Sequence, residues 1–206
     1  MPTSKLAAPE LEAVEIHGMT RSSFILRGAL AAGAVYGAGA VTPFVRTALA
    51  QDGGGDVEIL NFALTLEYLE TEFYEKATGL DGDVAKLAKQ LAGEEAEHVD
   101  ALTAAVKQLG GTPAAKPTFA FPKGDVKAFL KLAQTLEDTG VSAYNGAAPA
   151  IQSKELLATA GTIVQIEARH AAAIRYANGE PGAPEAFDMT LEMQQVLDAV
   201  KPFIKA

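Results

Sequence analysis

The chain has 206 residues, of which 49% are hydrophobic, and its 26 acidic and 17 basic side chains give a formal net charge of −9. This length supports one domain with an extension, and the acidic balance argues against nucleic acid or an anionic membrane surface as a partner. Because the chain contains no cysteine, disulfides, thiolate-bound zinc and iron–sulfur clusters are excluded.

Residues 1–50 are predicted to be an export signal. A run rich in Ala, Gly, Leu and Val over residues 28–41 follows Arg21 and Arg27. The run is too short and too rich in glycine to form a stable transmembrane helix. An uncleaved amphipathic anchor or a disordered tail is the alternative interpretation of this segment.

The end of this segment carries a cleavage signal. Ala48-Leu49-Ala50 is an A-x-A phrase, and a glycine-rich linker over residues 51–55 follows it. We therefore predict export to the periplasm, the cell envelope or the exterior, with cleavage after Ala50 and no stable membrane span afterwards. The run over residues 20–26 resembles a twin-arginine signal, with Ser22 in place of the second arginine.

The rest of the chain predicts four long helices and a short fifth one, without strands. Apolar residues recur at helical spacing, and glycines and prolines mark the breaks. Asp83, Asp125 and Ser153 are the predicted caps of the second, third and fourth helices. The predicted helices span residues 56–77, 83–109, 125–148, 153–178 and 190–200, so the bundle covers 56–178 and a C-terminal extension covers 179–206.

The lengths of the connections predict how the helices are arranged. Short links after the first and third helices predict two antiparallel hairpins. The proline-rich link over residues 112–124 can extend about 45 Å, which is enough to run lengthwise along a helix of about 25 residues. The expected fold is all-α: an antiparallel four-helix bundle with one long crossover between its second and third helices.

Outside the predicted signal the chain contains two histidines, and each ends the same four-residue phrase. Glu95 stands three positions before His98, and Glu167 stands three positions before His170. On a helix this spacing places both side chains on one face, one turn apart. Two such helices, with one carboxylate from each of two others, form a di-metal carboxylate site.

Two Glu-x6-Tyr phrases supply the further carboxylates. Glu67 precedes Tyr74 in the first helix, and Glu137 precedes Tyr144 in the third, at an offset of 70. The two Glu-x-x-His phrases repeat at an offset of 72. This internal duplication predicts a pseudo-twofold bundle with the site on its axis.

Two neighbouring carboxylates are alternative ligands. Glu70 lies one turn after Glu67, and Asp138 is adjacent to Glu137. The internal alignment favours Glu67 and Glu137 in both cases.

The two tyrosines lie two turns after the glutamates, on the same helix faces. The hydroxyls of Tyr74 and Tyr144 can hydrogen-bond ligand carboxylates or take part in redox chemistry. Alternatively, both are core tyrosines with satisfied hydroxyls.

Four carboxylates and two imidazoles suit two first-row ions, iron or manganese. The set is too rich in oxygen for structural zinc, and calcium would not need imidazole. Four carboxylates balance two divalent ions, which leaves room for dioxygen or peroxide to bridge them. The alternative is a metal-free pair of Glu–His hydrogen bonds within the helical hairpins.

The double Glu-x6-Tyr and Glu-x-x-His pattern resembles the ferritin-like superfamily, which includes ferritins, bacterioferritins, rubrerythrins and manganese catalases. Glu167-Ala168-Arg169-His170 is similar to the Glu-x-Arg-His phrase of several members. An export signal before a bundle that opens with LNFALTLEYLE over residues 60–70 resembles the exported proteins called desiccation-related. The resemblance covers residues 56–178. It implies that Glu95 and either Glu137 or Glu167 bridge the metals, within the ligand set Glu67, Glu95, His98, Glu137, Glu167 and His170.

The chain departs from the pattern of these families at several positions. Rubrerythrins carry an extra glutamate where this chain has Ala105 and Ala177, and no cysteine is present for a rubredoxin module. The aspartate that often precedes the Glu-x-x-His phrase is Glu94 in one half and Ile166 in the other. This replacement is expected to weaken the hydrogen-bonded support of the histidines.

We expect an exported di-iron or di-manganese protein that oxidises ferrous iron with dioxygen or peroxide, or that detoxifies peroxide. The alternative is a non-enzymatic envelope or stress-protection protein that uses the bundle as a scaffold with a vestigial metal site. A homo-oligomer is compatible with the sequence.

Overall fold

The computed structural model describes residues 55–205. The predicted export signal and residues 51–54 of the predicted linker lie outside the described residues. The described part forms five α-helices and two single 3₁₀ turns, at Ala148–Ala150 and Lys201–Phe203. The helices are α1 Asp56–Glu75, α2 Gly82–Gln108, α3 Val126–Ala147, α4 Lys154–Ala177 and α5 Met193–Val200.

Local sequence signals explain where most of these helices begin. Asp125 caps α3 by accepting a hydrogen bond from the Ala128 amide at 2.9 Å, and Ser153 caps α4 through the Leu156 amide at 3.1 Å. The predicted cap at Asp83 is wrong, because α2 begins one residue earlier at Gly82. Gly82 has a φ of 55°, a left-handed conformation that glycine adopts without steric cost.

The fifth helix begins later than predicted. It starts at Met193 instead of residue 190 because a capping box fixes its first turn. The backbone amide of Glu192 donates to the side-chain oxygen of Gln195 at 2.8 Å.

Contacts at one end of the bundle establish the directions of the helices. Asp56, at the start of α1, accepts hydrogen bonds from the amides of Gln152 and Ser153 between α3 and α4, at 2.7 and 2.8 Å. Asn61 bonds the backbone of Thr112 and Ala114, just after α2. Therefore α1 and α4 begin at the end of the bundle where α2 and α3 finish, which confirms the predicted four-helix arrangement with its long crossover.

The crossover runs beside α1 to the opposite end of the bundle. There Phe121 packs edge-on against Phe73 of α1, with ring centroids 5.2 Å apart. Phe119 is fully buried and forms an isolated antiparallel bridge with Ile204. The C-terminal extension thereby holds the crossover in place through backbone hydrogen bonds as well as apolar packing.

Apolar side chains fill the bundle on both sides of a buried polar layer. One cluster includes Phe73, Leu91 and Leu136, and a second includes Leu64 and Val106. The polar layer consists of glutamates and histidines from the middle turns of α1 to α4. None of the helices in the described range is long and apolar enough to span a bilayer.

Candidate metal centre

Each of the four long helices places one glutamate in the interior. Glu67 of α1, Glu95 of α2, Glu137 of α3 and Glu167 of α4 all have no solvent exposure. Burying an ionised carboxylate costs several kcal/mol unless a cation or hydrogen-bond donors compensate for it. Four such groups in one layer therefore need cations, hydrogen-bond donors or retained protons to offset their charge.

His98 brings three of these glutamates together. Its Nδ1 atom lies 2.9 Å from Oε1 of Glu167, 3.2 Å from Oε2 of Glu95 and 3.3 Å from Oε2 of Glu67. This group draws on α1, α2 and α4.

His170 forms a second group on the other side of the layer. Its Nδ1 atom lies 2.7 Å from Oε1 of Glu95 and 3.5 Å from Oε2 of Glu137. The rings of His98 and His170 are stacked with centroids 6.0 Å apart. The structure thus brings all six residues of the predicted ligand set into one cluster.

The two groups share two carboxylates. One group consists of Glu67, Glu95, His98 and Glu167. In this group and in the other, the potential ligand atoms lie within 4.8 Å of one another. The other consists of Glu95, Glu137, Glu167 and His170. Glu95 and Glu167 therefore belong to both groups, whereas Glu137 belongs to only one of them.

Most of the unsatisfied polar atoms of the interior belong to this cluster. Among the described residues, seven buried side-chain atoms have no hydrogen bond of good geometry, and six of them lie here. The Nδ1 atoms of His98 and His170 lie close to several of these oxygens without a well-aligned hydrogen bond, so the cluster is suited to a bound cation. The six atoms are Glu67 Oε2, Glu95 Oε1, Glu137 Oε2, both carboxylate oxygens of Glu167, and His170 Nδ1.

The two tyrosines connect α1 and α3 crosswise. The Tyr74 hydroxyl donates to Oε1 of Glu137, and the Tyr144 hydroxyl donates to Oε1 of Glu67. Burial raises the pKa of both hydroxyls well above the usual value of 10.0, so both remain protonated donors. The Oε2 atom of each glutamate is left facing the cluster.

Comparison with known families agrees with this geometry. The family model described as ferritin-like domain (Ferritin_2) matches residues 55–180, which is more than half of the chain. The chain belongs to the ferritin-like domain family. No curated protein matched it. The matched range of this ferritin-like chain contains the whole Glu/His cluster.

Glu94 supports one histidine of the ferritin-like centre. Its Oε2 atom lies 2.6 Å from Nε2 of His170, on the ring edge opposite the cluster. A carboxylate in this position fixes the proton on Nε2 and leaves the Nδ1 lone pair free for a cation. The expected loss of support is therefore wrong for His170, because the longer glutamate side chain still reaches the ring.

His98 has no equivalent support within the described residues. The position that would face it from α4 is occupied by Ile166, which has no hydrogen-bonding atom in its side chain. The two halves of the cluster are consequently unequal.

The two alternative ligands, Asp138 and Glu70, lie in different environments. Asp138 lies outside the cluster, where its Oδ1 atom pairs with Arg175 Nη2 at 2.5 Å. Glu70 is only 2% exposed and adds a fifth carboxylate to the interior. A Cβ atom on Gly140 would lie 3.0 Å from Glu70 Oε1 and 3.4 Å from Glu167 Oε2. Gly140, which occupies the position equivalent to Glu70 in the duplicated half, thus leaves room for both carboxylates.

Without a metal, the cluster must retain protons. Burial and the neighbouring charges of Glu95 and Glu167 raise the pKa of Glu137 to about 8, although contact with His170 opposes the shift. Burial would lower the pKa of His98, but its contacts with Glu167, Glu67 and Glu95 outweigh it and raise the pKa to about 12. Cations that bound here would replace these protons.

Proposed function

We propose that this ferritin-like protein binds two iron or manganese ions and uses them in the oxidation of ferrous iron or the removal of peroxide. The carrying observation is the convergence of four fully buried glutamates and two buried histidines on two groups that share Glu95 and Glu167.

The contacts support a division of the ligands between the two ions. His98 and Glu67 would hold one ion, and His170 and Glu137 would hold the other, with Glu95 and Glu167 common to both. Each ion would thus have one imidazole nitrogen and several carboxylate oxygens, a donor set that suits iron and manganese. When bound, the two ions would supply the electron-transfer chemistry towards dioxygen or peroxide.

The surrounding side chains would control protons and water. Tyr74 and Tyr144 each donate to one glutamate, which fixes the orientation of that carboxylate and keeps a proton beside it. Glu94 fixes the orientation of His170 by accepting a hydrogen bond from its Nε2 atom. The apolar clusters on both sides of the layer exclude water, which strengthens every charge interaction in the centre.

Metal content is the direct test. The full chain, purified without a metal-binding tag and stripped with chelator, would be incubated anaerobically with ferrous iron or manganese and analysed by mass spectrometry for metals. We expect close to two ions per chain. Glu95→Gln should lower this content sharply, whereas Glu97→Gln, an exposed position on the same helix, should leave it unchanged. A folded helical chain that bound no ion would favour the scaffold alternative.

We also propose that the protein is exported. The support is the A-x-A phrase that ends at Ala50 and the arginine-led apolar run before it. Mass spectrometry of protein from the envelope or culture medium should find an N-terminus at Gln51. Retention of residues 1–50 on all recovered protein would instead favour an uncleaved anchor.

A further inference from the structure

A small apolar cavity of about 30 Å³ lies between the four helices, at the end where α1 and α4 begin. All four helices contribute an alanine to its wall: Ala63, Ala105, Ala143 and Ala160. These short side chains leave a space that larger residues would fill. Among the lining residues, only Tyr144 and Thr159 carry a polar side-chain atom.

The cavity has the size to admit a small molecule but not the polarity to hold water. A cavity can contain one water from roughly 10–15 Å³ upward, provided that the water finds two to four polar partners. The Tyr144 hydroxyl is already bonded to Glu67, and the Thr159 hydroxyl donates to the Glu155 carbonyl at 3.0 Å. A small apolar molecule therefore fits this space better than water does.

The cavity leads from the surface towards the metal centre. Ala101 of α2 and Thr159 of α4 are exposed members of its wall, whereas Tyr144 at the inner side is buried. The Tyr144 hydroxyl donates to Glu67, one of the four buried glutamates of the cluster. Tyr144 thus lines the cavity and also contacts the cluster.

We propose that this cavity binds dioxygen and supplies it to the metal centre. Dioxygen is small, uncharged and apolar, so it pays no desolvation penalty in an apolar space. Peroxide would lose its hydrogen bonds to water there without replacement. The inference rests on the proposed function and deepens it, because it selects dioxygen over peroxide as the oxidant that this route delivers.

Xenon binding tests the cavity without any metal, because dry apolar cavities bind xenon. The metal-free full chain would be titrated with xenon and followed by ¹²⁹Xe nuclear magnetic resonance. We expect saturable binding that Ala105→Leu abolishes, whereas Ala104→Leu, at the adjacent exposed position, retains it. If Ala105→Leu loses its helical circular dichroism signal, Ala160→Leu is used in its place, because it fills the same space from α4. Absence of xenon binding in the unmodified chain would overturn the proposal.

The supply role has its own measurement. With ferrous iron bound under anaerobic conditions, Ala105→Leu should slow oxidation by dioxygen several-fold relative to Ala104→Leu, while both variants keep the same metal content. Oxidation by added peroxide should proceed at equal rates in the two. An unchanged dioxygen rate in a variant that no longer binds xenon would refute the supply role. A chain that bound xenon but no metal would refute the proposed function and, with it, this role.

Discussion

His170 and Glu94 are 76 positions apart in the sequence, yet Nε2 of the ring lies 2.6 Å from a carboxylate oxygen of Glu94. The residue that corresponds to Glu94 in the other half is Ile166, so His98 has no such support among the described residues. The duplicated halves of the chain therefore build two unequal halves of the Glu/His cluster.

Removal of this support should weaken one of the two positions. Loss of such a carboxylate typically lowers metal affinity about 10–100-fold. We expect Glu94→Ala to weaken the tighter of two binding steps by this factor in calorimetric titrations with manganese. Glu97→Ala is the matched control on the same helix. An equal weakening of both steps would argue against the assignment of Glu94 to His170 alone.

Gly140 should be intolerant of any side chain. A Cβ atom there would lie 3.0 Å from Glu70 Oε1 and 3.4 Å from Glu167 Oε2, so Gly140→Ala should displace one or both carboxylates. We expect a lower midpoint in thermal unfolding and a reduced metal content.

Gly161 provides the opposite control for this substitution. It lies within α4, and nothing lies within 4 Å of its added Cβ. Gly161→Ala should therefore raise the free energy of unfolding by roughly 0.5–1 kcal/mol, the usual helix preference for alanine. Equal effects of the two substitutions would show that Gly140 does not serve to accommodate Glu70.

The composition of the centre was predictable because helical spacing is regular. Glu95 with His98, and Glu167 with His170, lie on single helix faces whatever the tertiary structure. The internal repeat added Glu67 and Glu137, and the structure brings the six residues into one cluster. Their function as metal ligands remains a prediction that metal analysis must test.

The contacts between different helices were not predictable from spacing. Tyr74 bonds the glutamate of the other half, Glu137, because α1 and α3 run antiparallel. Likewise, Glu94 reaches the histidine of the opposite hairpin. Such pairs depend on how α1 packs against α3 and how α2 packs against α4. The spacing of residues within one helix does not predict this packing.

The two tyrosine hydroxyls should contribute to the stability of the metal-free protein. Tyr144→Phe would leave a buried oxygen of Glu67 without its donor, and an unsatisfied buried polar group costs about 1–3 kcal/mol. We expect a loss of this size in the free energy of unfolding measured with denaturant. Tyr176→Phe is the control, because Tyr176 is 71% exposed. A neutral result for Tyr144→Phe would mean that the hydroxyl is not needed to satisfy Glu67.

The metal-free protein should lose stability as the pH rises above about 5. Burial raises the pKa of Glu137 from 4.5 to about 8, so in this interval the folded state keeps a proton that the unfolded state releases. Burial opposes the shift of His170, but contacts with Glu137 and Glu95 raise its pKa from 6.5 to about 11. Its stabilising contribution is complete below 6.5 and is lost as the pH rises towards 11, so both groups act in the same direction.

The metal-loaded protein should show the opposite dependence. Metals bind deprotonated carboxylates and neutral imidazole, so affinity increases as protons leave, and bound ions stabilise the folded state by mass action. Thermal unfolding at about pH 5 and about pH 8, with manganese or with chelator, tests this crossing of the two trends. With chelator the midpoint should be higher at the lower pH, and with manganese it should be higher at the higher pH. Parallel trends in the two conditions would show that the buried glutamates and histidines do not exchange their protons for cations.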